Sequence, residues 1–241
     1  MTTRADMLDR VRKALGRSTT SLPEEPLPSL DLAGVMPALA PEDYLPKFEA
    51  EWEKVAGVPY RVADRAQLKA VFEKILAGAE RRSVVLSRNP LLGELHVSEI
   101  LQSIEGTEVT IWSDGQGRAG TNSLPNFNQA SFAAGVGITG VDLVLAESGT
   151  LVLSSLTEGA QVASLAPPVH VALYRRSQLV GSLDEVLAKL PVSSSPDRPS
   201  AGRSVVFITG TSRTADIEQI LIRGVHGPRE VHAVLLEDSC R

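Results

Sequence analysis

From residue 59 onward, short apolar runs alternate with stretches whose apolar side chains recur at helical spacing. The runs that indicate strands are PYRVA, SVVLS (83–87), EVTIW (108–112), HVALY (170–174), SVVFITG and VHAVLL. Strands that are apolar on both faces and alternate with helices are typical of parallel sheets covered by helices on both sides. The alternation therefore predicts a three-layer α/β domain with a mostly parallel sheet and helices on both faces.

Two further runs, LVLAE and TLVLS, are separated only by Ser148 and Gly149. Two β-rich runs joined by two turn-forming residues predict a β-hairpin. Because the strands of a hairpin are antiparallel, this feature would make the sheet mixed.

Two of the predicted helices begin with capping residues. Asp64 is followed three residues later by Gln67, and Ser182 is followed by Glu185. At this spacing the first side chain can accept a hydrogen bond from the backbone at the helix start. Helical periodicity predicts that the second of these helices buries Leu183, Val186, Leu187 and Leu190.

The N-terminal part of the chain differs in composition from the rest. Leu8, Val11 and Leu15 recur at helical spacing, which predicts a short amphipathic helix over residues 4–16. A stretch rich in proline and small residues follows, over residues 21–43. We therefore expect an arm formed by residues 1–43 and an α/β domain formed by residues 44–241. The helix of the arm either packs on the domain or docks on a partner subunit.

Composition excludes several classes of protein. The 241-residue chain has a net charge of −5, whereas nucleic-acid-binding proteins are typically basic. Its single cysteine, Cys240, cannot build a disulfide framework, a zinc site or a cysteine-ligated iron–sulfur cluster, and we expect it to be exposed. The N-terminus lacks the apolar core of a signal peptide, and no run approaches the ~20 apolar residues of a membrane helix. We expect a cytoplasmic protein without a membrane span, cofactor or metal.

The glycines Gly135, Gly137 and Gly140 satisfy the dinucleotide-binding pattern G-x-G-x-x-G. That pattern binds a pyrophosphate only where a strand enters the glycines and a helix leaves them. Here the order is reversed, because the helical pattern NQASFAA precedes the glycines and the strand pattern VDLVLAE follows them. We interpret the glycines as a helix C-cap and a tight turn into the next strand.

The predicted hairpin carries the first candidate catalytic residue. Glu147 lies at the end of a strand, beside Gly149, which permits close approach of a ligand to the backbone. A carboxylate in this position is a candidate acid, base or nucleophile, and Thr150 could orient a substrate oxygen. Alternatively, Glu147 and Thr150 satisfy backbone groups of the turn.

The segment that contains Gly210, Ser212, Arg213 and Thr214 lies between a predicted strand and a predicted helix, TADIEQILI. Free backbone N–H groups and the dipole at a helix N-terminus favour an anion, and an arginine adds two charge-assisted hydrogen bonds. The segment therefore predicts a site for a small carboxylate or phosphate. Alternatively, Ser212 or Thr214 only caps the helix.

His226 lies in a glycine- and proline-containing loop before the last strand, and it is the preferred general acid or base among the histidines. Alternatively it is a structural residue of the turn. We predict that Glu147, Arg213 and His226 line one cleft covered by the loop 113–127. This requires that the last strand runs antiparallel or that the loop 224–230 folds back.

Three runs, GITGVDLVLAESGTLVL, EGAQVASLAPPVHVAL and ITGTSRTADIEQILIRGVHGPREVHAVLLED, closely resemble the lactate-utilization (LUD-domain) family, and within it the protein C branch. The resemblance is dense from Gly135 to Asp238 and thinner before that. The chain departs from the family pattern at Ser148, where a threonine is expected, and at Thr211, where a proline is expected. Neither departure removes a candidate acid or base.

The resemblance implies a fold similar to the NagB/RpiA/CoA-transferase superfamily. It also implies a place in a multi-protein system that oxidises L-lactate to pyruvate, with iron–sulfur partner subunits. The family supplies no catalytic residues that can be carried over. Two functions stay open: a non-redox subunit that binds a small anion or assists assembly, and a stand-alone enzyme of the CoA-transferase or sugar-phosphate isomerase type. A scaffold with a vestigial pocket is a third, weaker possibility.

Overall fold

The structure is a computed structural model that describes residues 3–14, 16, 39–112, 127–190, 204–215, 221–237 and 240. The chain divides into two units between residues 37 and 38. The boundary between residues 43 and 44 stays a prediction, and the helix α2 begins at Tyr44.

The first unit contains one described helix, α1 (Arg4–Ala14). The Thr3 and Asp6 side chains cap it reciprocally: Asp6 N donates to Thr3 Oγ1 at 3.2 Å, and Thr3 N donates to Asp6 Oδ2 at 2.9 Å. Met7, Leu8 and Val11 are exposed on its surface. The predicted helix is confirmed over these residues, and Leu15 lies outside the described residues.

The second unit is built on alternating strands and helices, as expected. Its strands are β1 (Gly57–Val62), β2 (Ser83–Leu86), β3 (Glu108–Ile111), β4 (Val136–Thr139), β5 (Leu143–Leu145), β6 (Thr150–Ser154), β7 (Val169–Arg175), β8 (Leu179–Val180), β9 (Val205–Ile208), β10 (Arg213–Ala215), β11 (Leu221–Arg223) and β12 (Glu230–Leu236). Its helices are α2 (Tyr44–Lys54), α3 (Arg65–Gly78), α4 (Pro90–Glu94), α5 (Val97–Gln102), α6 (Phe127–Ala133), α7 (Ser155–Glu158) and α8 (Leu183–Lys189). Three 3₁₀ turns lie at Pro41–Asp43, Gln161–Ser164 and Arg176–Gln178.

The central sheet has six strands in the order β1-β12-β7-β4-β2-β3, and every neighbouring pair is parallel. Side chains that alternate along β7 enter different cores. Val171 packs with α3, α4 and α5 on one face, whereas Ala172 and Tyr174 pack with α2 on the other. The α/β class, the mostly parallel sheet and the helices on both of its faces are confirmed.

A second sheet of four strands, in the order β8-β5-β6-β9, contains the antiparallel pairs β5–β6 and β6–β9 and the parallel pair β5–β8. The predicted hairpin is β5–β6, but it lies in this sheet and not in the parallel one. The strand predicted at SVVFITG also belongs here, as β9. The hairpin belongs to this second sheet because both of its faces are buried there. Leu151 and Leu153 of β6 pack toward α2, and Val152 packs with Val186 of α8.

The helix predicted at TADIEQILI is wrong at both of its described ends, and residues 216–220 lie outside the described residues. Residues Arg213–Ala215 form β10 and pair antiparallel with Leu221–Arg223, which form β11. Thr and three Ile residues lie within the nine-residue stretch, and β-branched side chains favour the extended conformation. The strand pairing therefore overrides the helical periodicity.

Three smaller expectations are also corrected. Cys240 is buried in the core beside α3–α5, so the thiol is not exposed. Leu183 and Leu187 are 43% and 53% exposed, because the short helix α8 buries only Val186 against the second sheet. Gly137 lies inside β4 and not in a turn, because the backbone carbonyl of Ala163 packs directly over it.

This close approach gives a test of the fold. A methyl group at Gly137 would lie 1.8 Å from Ala163 O, so Gly137→Ala should lower the free energy of unfolding by about 3 kcal/mol or more. Gly78 ends α3 with nothing within 4 Å of the added methyl group, so Gly78→Ala should be neutral or stabilise by about 0.5 kcal/mol. Urea unfolding of both variants measures the difference, and equal stabilities would contradict the packing of β4.

Candidate functional site

The carboxyl ends of β2 and β4 form the topological switch point of the parallel sheet. The two strands are neighbours, but the chain runs from β2 outward to β3 and from β4 in the opposite direction to β7. In open α/β sheets, ligands bind in the crevice that such a divergence leaves at the carboxyl ends of the strands. The segments that border this crevice are 87–89, after β2, and 140–142, after β4.

A buried carboxyl group occupies the crevice. Glu158, the last residue of α7, is fully buried, and Ser87 Oγ donates to its Oε2 at 2.5 Å. Asn89 Nδ2 donates to Oε1, and the backbone N–H of Gly140 also donates to the carboxyl group. Glu158 thus joins the ends of the two diverging strands to α7.

The environment of Glu158 brings the pKa of its carboxyl group close to neutral pH. Burial raises the pKa of Glu158 to about 7, while the hydrogen bonds from Ser87 and Asn89 act in the opposite direction. The negative charge of Asp142 raises the pKa further. Asp142 is itself held by the Ser154 N–H at 2.5 Å and by the Thr157 hydroxyl at 3.1 Å.

The same end of the sheet carries an arginine on an aromatic ring. The Arg88 guanidinium lies 4.9 Å from the centroid of the Trp112 ring, and it donates to the carbonyl of Leu156 at 3.0 Å. Trp112 in turn packs against Gly159, directly after α7. A cation and an aromatic surface therefore border the segment that carries Glu158.

Glu147, predicted as a catalytic residue, caps a helix. Its Oε1 accepts a hydrogen bond of 2.8 Å from the N–H of Leu183, the first residue of α8. The alternative to a catalytic role was that Glu147 satisfies backbone groups of the turn. Glu147 does satisfy a backbone N–H group, but that group belongs to α8 and not to the turn. A carboxylate at a helix N-terminus is favoured by the helix dipole.

Three predicted binding residues, Gly149, Thr150 and Gly210, lie together near the end of α2. Thr150 Oγ1 is 2.7 Å from Thr209 Oγ1, and a side chain at Gly149 or Gly210 would meet the backbone of residues 51–55. Thr150 is buried. The group is close-packed against the end of α2, where the neighbouring acid, Glu51, is paired with Lys47 and Lys54.

The other predicted binding residues, Ser212, Arg213 and Thr214, lie at the β10–β11 hairpin. Because the expected helix is a strand, they have no helix N-terminus to bind an anion. Arg213 instead stands directly opposite Arg223, and both side chains are exposed. Neither arginine forms an ion pair with any described residue.

The hairpin leads directly into the loop that carries His226. Ser212 N donates to Pro228 O at 2.9 Å, and Arg229 N donates to Pro168 O at 2.9 Å. Pro168 and Arg229 immediately precede β7 and β12, so this loop lies at the amino end of the parallel sheet. His226 itself is exposed.

The structure does not bring Glu147, Arg213 and His226 together by any hydrogen bond or ion pair among the described residues. The antiparallel course considered for the last strand is wrong, because β12 is parallel to both of its neighbours. The loop 113–127 lies outside the described residues except for Phe127. The catalytic roles of Glu147 and His226 stay predictions.

Sequence reasoning missed Glu158. It lies in the polar run SSLTEG, which shows no periodicity, and it is the first residue of the run EGAQVASLAPPVHVAL that resembles the LUD-domain family. Neither feature gives it a role. Its place in the crevice follows from the adjacency of β2 and β4, whose residues are far apart in the sequence.

Within the described ranges, no group of three or more His, Cys, Asp or Glu side chains is placed to hold a metal ion. None of the helices described has the length and apolar character needed to cross a bilayer.

The fold and the crevice define a doubly covered α/β protein with a buried acid at its switch point. The LUD domain family model matches residues 45–236, and the chain belongs to that family. It is 30% identical over 174 residues to lactate utilization protein C of Halalkalibacterium halodurans, covering 71% of this chain and 70% of the relative.

Two further comparisons agree. Lactate utilization protein C of Geobacillus thermodenitrificans is 28% identical over 238 residues, which cover 96% of this chain and 95% of the relative. The crystal structure of a DUF162 family protein from Deinococcus radiodurans superposes with a TM-score of 0.55 at 21% identity, over 82% of this chain and 99% of that one. The match to the DUF162 family structure supports the fold alone.

The contact of Glu147 can be tested by substitution. Glu147→Ala removes a charge-assisted hydrogen bond at the start of α8, and it should lower the free energy of unfolding by about 1 kcal/mol. Glu53→Ala is the control, because Glu53 is exposed and its side chain has no partner among the described residues. Equal unfolding midpoints in urea for both variants would contradict the capping role.

Proposed function

We propose that this chain is a non-redox component of a lactate utilization system that oxidises L-lactate to pyruvate. The support is its similarity to proteins named lactate utilization protein C, one of them over 96% of the chain. If the chain takes part in catalysis, it does so within that system in the cytoplasm.

The redox step is assigned to iron–sulfur partner subunits. This chain has one cysteine, whereas iron–sulfur clusters are usually held by four thiolates. We also infer a relationship of the fold to the NagB/RpiA/CoA-transferase superfamily, and an N-terminal arm over residues 1–43 before the domain 44–241.

A small-anion site is proposed at the β10–β11 hairpin. The observation that carries it is the pair Arg213 and Arg223, directly opposite each other and exposed. Like charges directly opposite on neighbouring strands destabilise the pair, so a bound carboxylate or phosphate would relieve the repulsion. Ser212 and Thr214, which the sequence also predicts as binding residues, are the neighbours of Arg213 along the chain.

The alternative is a stand-alone enzyme of the CoA-transferase or sugar-phosphate isomerase type. It would need Glu147 as a nucleophile or base, next to the anion. The carboxylate of Glu147 instead accepts the hydrogen bond from Leu183 N, and it forms no hydrogen bond or ion pair with the described residues of the hairpin. The first function is therefore preferred.

Purification from native cells separates the two functions. The tagged full chain should co-purify with iron–sulfur proteins, and lactate-dependent reduction of a dye should require them. Turnover of a CoA ester or a sugar phosphate by the isolated chain would instead favour the alternative.

The anion site gives a binding prediction. Loss of one charge-assisted hydrogen-bonding group costs about 1.5–3 kcal/mol, so Arg213→Ala and Arg223→Ala should each weaken binding of phosphate or L-lactate about tenfold or more. Isothermal titration calorimetry at low salt measures the affinity.

Arg65→Ala is the matched control, because Arg65 is also exposed but forms an ion pair with Glu99 at 3.3 Å. It should leave the affinity unchanged. An equal loss in all three variants, or no binding by the unmodified protein, would contradict an anion site at the hairpin.

A further inference from the structure

We propose that the Glu158 carboxyl group is a proton-operated latch: protonated, it holds α7 over the switch-point crevice, and its ionisation allows α7 to open. The device is separate from the anion site, because the hairpin lies at the amino end of the parallel sheet. Opening would expose the carboxyl ends of β2 and β4, where ligands of such sheets bind.

The first support is the way α7 is held. It is a helix of four residues whose N-cap, Ser154, forms no side-chain capping bond. Gly159 follows it with a φ of 72°, a left-handed conformation in which glycine is favoured. So short a helix has little stability of its own and depends on tertiary hydrogen bonds. Ser155 bonds to Ser204, Leu156 O accepts from Arg88, and Thr157 donates to Asp142. Glu158 adds the contacts of the buried residue of the helix.

The second support is the number of segments that converge on this one residue. The side chain of Glu158 accepts from Ser87, Asn89 and Gly140, and its backbone carbonyl accepts from Arg88 N at 3.2 Å. Release of Glu158 would therefore free the segments after β2 and β4 at the same time.

The third support is the hydrogen-bond arrangement around the proton. The separation of 2.5 Å between Ser87 Oγ and Glu158 Oε2 allows either atom to donate. The protonated acid donates to Ser87 Oγ, and the ionised acid accepts from it. Asn89 N can donate to Ser87 Oγ at 3.4 Å in both states. The closed arrangement thus accommodates the protonated acid.

The charged groups around Glu158 favour the neutral form. Asp142, on the connection after β4, adds a negative charge that opposes ionisation. Arg88, on the connection after β2, directs its guanidinium to the Leu156 carbonyl and the Trp112 ring. Among the described residues, no cation forms an ion pair with Glu158. An ionised carboxylate buried without a counter-charge is unstable.

The direction of the pH effect follows from these contacts. In the closed state the pKa of Glu158 is raised from 4.5 to about 7, so the closed state binds the proton more tightly than the open state. Closure is fully stabilised below pH 4.5 and loses this stabilisation as the pH rises to about 7. Above that value no further change is expected.

Hydrogen exchange of the full chain tests the latch. The amides of Arg88 and Gly140 contact Glu158, so their protection factors, corrected for intrinsic exchange, should fall by roughly a hundredfold between pH 5 and pH 8. In Glu158→Gln the side chain is neutral at both pH values, and the protection should be constant.

Glu147→Gln is the matched control, because it removes a carboxylate from the start of α8 and should retain the pH effect at Arg88 and Gly140. Persistence of the effect in Glu158→Gln would overturn the proposal. If that variant fails to fold, the unmodified protein still decides: constant protection from pH 5 to pH 8 overturns the latch. A fall that levels off at the pH of the carbon-13 titration of Glu158 supports it.

Discussion

The requirement to cover both faces of the parallel sheet determines the rest of the structure. β7 and β12 lie in its interior, and residues of both strands enter the cores on either face. Strands that are apolar on both faces cannot remain exposed to water. Helices α3–α5 cover one face, whereas α2 and the second sheet cover the other. The second sheet is therefore one of the covering layers, and α8 in turn covers the outer face of the second sheet.

Local sequence patterns were sufficient where the local contacts decide the structure. The pair Asp64 and Gln67 predicts the start of α3, and the structure confirms it: Gln67 N donates to Asp64 Oδ1 at 2.8 Å. The apolar runs predict each strand of the parallel sheet except β4. In β4 the glycines look like a turn motif although they lie in or beside a strand. Gly137 is required because the carbonyl of Ala163, 26 residues further along the chain, packs directly over it.

The candidate site was less predictable, because its geometry depends on strand order. No local pattern places Ser87 beside Glu158, and only the order β4-β2 brings them together. At the hairpin, periodicity favoured a helix although pairing with β11 favours a strand. Arg213 was selected for its charge, but its partner across the hairpin, Arg223, could not be inferred while the segment was expected to be helical. Arg213 was a reasonable candidate, but its predicted position at a helix N-terminus was wrong.

The two chemically distinctive groups lie at opposite ends of one parallel sheet. Glu158 lies beyond the carboxyl ends of β2 and β4, and the paired arginines adjoin the loop 224–229, which precedes β12 and bonds to Pro168 before β7. A strand rises about 3.3 Å per residue, so the seven residues of β7 alone span about 20 Å. A small hydroxy acid cannot contact both ends at once. An acid at one end and cations at the other therefore argue for two separate functions, anion binding and control by a proton, and against a single catalytic cleft. This separation agrees with the proposed function, in which this chain is a non-redox component and partner subunits perform the oxidation.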